Sequence, residues 1–91
     1  MFIYGGFILT GGNLDNGKAW RGISVMLAER RDGEDFPFFA TVCKGVLSDS
    51  LVKSCKEIPL GTAVSPSFVP SGNDRNGNPV FKLNELRRLS P

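Results

Sequence analysis

The stretch DNGKAWRG, residues 15–22, gathers the side chains best equipped for chemistry in this chain. It holds Lys18, Arg21 and the only tryptophan, Trp20, directly after an Asn16-Gly17 turn signal. A flat indole flanked by cations suits a nucleic-acid strand. An exposed aromatic stacks a base of any identity for about 1–3 kcal/mol, and a lysine or arginine holds the adjoining phosphate. The competing role for a lone tryptophan is a core plug, and the face that its strand turns to solvent decides between the two. Arg87 and Arg88 are further phosphate candidates. As neighbours on a strand they point to opposite faces, so at most one lines a given groove. The FPFF run at 36–39 reads mainly as core, but alternation turns one of Phe38 and Phe39 outward as a second platform. Tyr4 and Phe7 read as core.

Catalysis has little to draw on. The chain has no histidine, which removes the commonest general base and the commonest neutral metal ligand. Its acids show no paired spacing, and its glycine-rich stretches lack the phosphate-loop lysine. Cys43 and Cys55 are too few for a disulfide framework or a four-cysteine zinc site and read as reduced thiols, with a single bridge between them as the alternative. The expectation is a protein that is not an enzyme, with no metal, no cofactor and no small-molecule substrate. The net charge of +2, from 11 basic and 9 acidic residues, is low. A polyanion would therefore have to be met by a local patch. ERRDGED concentrates acids at 29–35, whereas Lys18, Arg21, Arg87 and Arg88 have fewer acidic neighbours.

The elements that must position these groups are mostly strands. Ninety-one residues, 41% hydrophobic and 22% charged, suit one globular domain over 1–91. The opening MFIYGGFILTGG lacks a basic leader and is too short to span a bilayer. It is expected to be a strand, in a soluble cytoplasmic protein with no membrane partner.

Strand one is expected over 2–10, with Gly5 and Gly6 marking a bulge. Strand two covers 18–30, with Ile23, Val25 and Leu27 on one face and Trp20 and Lys18 on the other. Asp32-Gly33 turns the chain into strand three at 36–45. A helix over 48–57, capped by Ser48 or Asp49, places Leu51 and Cys55 toward the core. Strand four spans 60–70, broken by Pro66. A nine-residue polar loop, 71–79, leads to strand five near 80–89, where the spacing of Val80, Leu83 and Leu86 keeps a helix as the rival.

No internal repeat is apparent. Five strands with one helix between the third and fourth predict an all-β, OB-type antiparallel barrel, with an SH3-like barrel as the alternative.

Three stretches, NGKAWRGISVMLAE, EDFPFFATV and PVFKLNELRRLSP, resemble the single-stranded-DNA-binding replication proteins of filamentous bacteriophages. Those are small OB-type dimers that coat newly made viral strands in a bacterial host. The likeness covers roughly residues 10–91 and rests on the order of the motifs. It departs at LTGGNLD, which offers an acid where the family's wing has a basic residue, and in a longer loop after strand four.

The resemblance implies that Lys18, Trp20 and Arg21 lie on a DNA-binding wing. It also implies that Arg87 or Arg88 takes the place of the family's late-strand arginine, and that the loop 70–79 lies near a dimer two-fold. Phe68, Val69, Val80 and Phe81 flank that loop and are the expected homodimer contacts. The implied partner is single-stranded DNA, bound cooperatively with little sequence preference. An RNA-binding translational regulator on the same fold and a protein-binding barrel are the rivals.

Overall fold

A computed structural model describes residues 1–33, 35 and 38–89, with the backbone alone at Phe38. The elements are β1 (Phe2–Asn13), β2 (Ala19–Arg30), β3 (Phe38–Gly45), α1 (Asp49–Glu57), β4 (Ala63–Asn73) and β5 (Pro79–Arg88). They close a barrel in the order β1-β2-β3-β5-β4. Neighbours are antiparallel except at the β3–β5 seam, where Gly45 pairs with Leu83 in parallel. This order, with the helix between β3 and β4, is the OB-type plan. Residues 80–86 are strand, so the helical rival is set aside.

Period-two alternation builds the core, except in β5, where one extra residue opposite Ser67–Phe68 lets Leu83 and Leu86 both face inward. Ile23, Val25 and Leu27 of β2 are buried together with Tyr4, Val64, Leu83 and Leu86, and α1 closes the set with Leu51 and Cys55. Of the two candidate caps Ser48 is the one used: the Leu51 N–H donates to its Oγ at 3.1 Å. Burying Leu51 and Cys55, one turn apart, gives this short helix a tertiary reason to form. Tyr4 donates its hydroxyl to the Cys55 carbonyl at 2.7 Å, tying β1 to α1. Burial, aided by Cys55, pushes the Tyr4 phenol well above its ordinary value. Burial also raises the Cys43 and Cys55 thiols, the latter partly offset by Tyr4. Both cysteines are free and, held protonated, are poor nucleophiles.

The expected bulge in β1 is present. Tyr4 pairs with Leu27 but Phe7 with Val25, so β1 carries one extra residue there. Gly6 adopts φ 109°, a conformation closed to most side chains.

Two hairpin arms leave the barrel at one row of residues, Ile23–Gly45–Leu83. Beyond Ile23, β2 pairs only with β1, out to Ala19–Asn13. Beyond Leu83, β5 pairs only with β4, out to Pro79–Asn73. The arms make the molecule long, 48 × 33 × 20 Å, with a radius of gyration of 14.8 Å. A compact chain of this length has about 12 Å.

The second arm departs from the sequence expectation. β4 is not broken by Pro66, and it runs on to Asn73. Past Val64 the outer edge of β4 has no strand partner among the described residues, so a missing proline N–H costs no ladder bond there. The expected loop 71–79 shrinks to a tip at 74–78, where the Asp74 carboxylate accepts from the N–H groups of Asn76 and Asn78 at 2.9 Å.

A short internal repeat also emerges. The tips GNLDNG, 12–17, and GNDRNG, 72–77, close in the same way. Leu14 N–H donates to Lys18 O and Gly17 N–H to Leu14 O, matching Asp74 N–H to Asn78 O and Gly77 N–H to Asp74 O. Among the described residues no helix is long and apolar enough to cross a membrane.

Candidate functional site

The two arms and the barrel mouth enclose a groove of about 370 Å³. Arm one contributes Thr10, Trp20, Arg21, Gly22, Ile23 and Ser24, β3 contributes Lys44 and Gly45, and β5 contributes Lys82. Strand alternation explains the gathering. Ile23, Gly45 and Leu83 face inward, so Ser24, Lys44 and Lys82, each one residue away, face outward. The Gly45–Leu83 pairing therefore brings together two lysines 38 positions apart in the chain.

Trp20 is 45% exposed, on the face opposite the buried Ile23, Val25 and Leu27. The parity of the strand thus holds to its end, and the indole is no core plug. Arg21 has the inward parity, but its position across from Gly11 lies beyond the closed barrel and it is exposed.

Electrostatically the groove has one sign. Among the described residues Arg21, Lys44 and Lys82 line it and no carboxylate does. Arg30, Arg31, Lys53 and Arg87 are all engaged in ion pairs elsewhere. Among the described residues none pairs with the three groove cations. Trp20 shares the outward face with Lys44 and Lys82, while its strand neighbour Arg21 borders the groove from the opposite face of the arm. The indole can stack a flat ring and the cations can hold its phosphates.

Not every expected contact residue reaches this groove. Lys18 sits in the exposed arm tip, where its N–H donates to Asn16 Oδ1 at 3.0 Å, and it does not line the groove. Arg87 and Arg88 lie at the far end of β5, about 20 Å along the strand from Lys82. There Arg87 Nε donates to Glu85 Oε1 at 2.7 Å. Arg88 donates to the Glu57 carbonyl at 2.9 Å, on the last turn of α1, where a cation offsets the negative end of the helix. Arg88 is a brace for the helix.

Phe39, one of the two candidates for an outward platform, is 39% exposed although it has the parity of the buried Gly45, because it stands where the barrel ends. It pairs with Glu29, about 30 Å along β2 from Trp20 and on the opposite face. The Arg31 guanidinium already covers it, 4.6 Å from the ring centroid. Phe36 and the Phe38 side chain lie outside the described residues.

The expected dimer residues divide between two faces of the second arm. Phe68 and Phe81 share the face of Leu83 and are 44% and 57% exposed. Val69 and Val80 share the face of Lys82 and are half-buried.

Lys44 and Lys82 were not singled out by the sequence reading. Their signal was present, each being a lone cation next to an inward residue, in CKG and FKL. Only the closing pair of the barrel shows that they meet.

A second, apolar cleft of about 250 Å³ adjoins the groove through Ser24. Ile8, Met26, Val42 and Leu60 line it and are all exposed. Comparison with known protein families, characterised proteins and solved structures finds no match for this chain.

Proposed function

We propose that this chain is a non-catalytic protein that binds single-stranded DNA with little sequence preference. In this reading it coats newly replicated strands, such as those of a bacteriophage in the cytoplasm of its bacterial host. The groove carries the proposal, because among the described residues it gathers an exposed indole and three cations that have no ion-pair partner. A base stacks on Trp20 while Arg21, Lys44 and Lys82 take phosphates. None of these contacts reads a base edge, which accounts for the weak sequence preference. The net charge of +2 lets subunits crowd along one strand without strong mutual repulsion, which favours cooperative coating.

Lys44→Ala and Lys82→Ala should each weaken binding to oligo-dT and to mixed-sequence oligomers alike. Each should also flatten the dependence of log affinity on log salt by about 0.7, the contribution of one single-strand phosphate contact. Unchanged slopes in both variants would remove the groove from the binding mechanism. A matched RNA oligomer run alongside separates a DNA coat from an RNA regulator.

The coat is proposed to work as a homodimer. Phe68 and Phe81 present an uncovered apolar face that a second copy covers about a two-fold axis. Sedimentation of the free protein should give a dimer, and a monomer well above micromolar concentration would exclude this arrangement.

A protein-binding role is the second reading, favoured by the cleft of Ile8, Met26, Val42 and Leu60. Its mark is the absence of any salt-dependent nucleic-acid binding.

A further inference from the structure

Trp20 and Gly12 face each other across the first arm. A Cβ on Gly12 would lie 2.9 Å from the indole Nε1, 3.2 Å from Cε2 and 3.3 Å from Cζ2. The ring therefore occupies the space that a side chain at position 12 would fill. Its far edge reaches toward Gly22, whose Cβ would lie 4.0 Å from Cζ3. The two glycines stand on the same outer face, one across from Trp20 and one two residues along β2. Gly12 has no positive φ to require a glycine. Its missing side chain is explained by the ring above it.

We infer that Gly12 is the positioning residue of the Trp20 platform. Because it lacks a Cβ, the indole lies across the arm with one side against the β1 backbone and the other open. An indole seated in this way caps one base and cannot slide between two. It selects an unstacked base, as found in a single strand or a frayed end, over the interior of a duplex. The binding consequence rests on the proposed single-strand function, but the seat itself does not.

The test uses Gly12→Ala, with Gly11→Ala as its partner. Residue 11 lies on the same strand and opposite face, where an added Cβ meets the Trp20 carbonyl at 3.1 Å and Arg21 Cγ at 3.8 Å and does not touch the ring. In the free protein Gly12→Ala should shift the Trp20 emission to the red and raise its quenching by acrylamide. Gly11→Ala should do neither. Unchanged emission and quenching in Gly12→Ala would overturn the seat, whatever the protein binds.

For oligo-dT, Gly12→Ala should lose a large part of the roughly 5- to 150-fold affinity that stacking contributes. In a Trp20→Ala background the same substitution should cost nothing more, since Gly12 acts through the ring. An equal loss in both backgrounds would make Gly12 a merely structural residue. If Gly12→Ala alone does not fold, Gly12→Ala/Trp20→Phe should fold, because the smaller ring withdraws the fused edge. Failure of that double variant would also overturn the inference. Should the wild type bind no oligomer, the emission and quenching arms still decide the seat.

Discussion

Replacing Leu83 with alanine is expected to cost about 2–5 kcal/mol of folding stability, the range for large-to-alanine changes in packed cores. Leu83 is fully buried where β3 pairs with β5. Its carbonyl accepts from the Val46 N–H at 2.8 Å, continuing the seam past Gly45. The facing side has no slack to fill a void. A Cβ on Gly45 would already lie 2.8 Å from Ile23 Cγ2 and 2.9 Å from Leu51 Cδ2. The cavity left by the variant therefore stays open, and a domain of ordinary stability, about 5–15 kcal/mol, loses a large part of it.

The same change reaches the groove, because the seam sets Lys44 beside Lys82. At temperatures where the variant is still folded, it should bind oligo-dT more weakly than the wild type. Chemical denaturation checks the first effect. An unfolding free energy within about 0.5 kcal/mol of wild type, the range of ordinary surface changes, would show that the closure does not depend on this side chain.

Trp20→Ala is expected to have the opposite profile. Stacking of one base is worth about 1–3 kcal/mol, so affinity for single-stranded DNA should fall by roughly 5- to 150-fold. The unfolding midpoint should barely move, because Trp20 is 45% exposed and stands apart from the buried core cluster. Parallel denaturation and oligo-dT titrations separate the two quantities. A variant that binds as well as wild type removes the indole from the site. A variant that unfolds readily makes Trp20 a structural residue despite its exposure.

Much of the barrel was legible because its strands obey simple alternation. The set Ile23, Val25 and Leu27 announced an inward face of β2. The same count left Trp20 open between platform and core plug, because a bulge near the turn would have flipped it. β2 pairs with β1 in unbroken register from Val25 to Ala19, and Trp20 stays outside. Ser48 followed by Leu51 and Cys55 was enough to place the helix. The reach of the second arm was not legible. Pro66, Pro70 and a run of polar residues argue against a strand unless one knows that this edge of β4 has no partner to lose. The tip repeat was hidden for a similar reason. Its likeness lies in Asn-Gly turn chemistry and backbone closure, and the intervening residues differ.

The groove was half visible. Trp20 and Arg21 announced themselves by type, but Lys44 and Lys82 are ordinary strand cations until the ends of two strands are paired. Arg87 and Arg88 illustrate the converse. Their positive charge suggested phosphates, and only the structure reveals the Glu85 carboxylate and the Glu57 carbonyl that engage them. Phe39 likewise read as core or base platform and instead carries Arg31 on its ring.

The most direct measurement is a titration of the single tryptophan's emission with oligo-dT at low and at raised salt. Binding in the groove should quench the emission saturably, with an affinity that falls steeply as salt rises. Emission unchanged by saturating oligo-dT at low salt would contradict a groove that stacks bases on Trp20 and holds phosphates on Arg21, Lys44 and Lys82.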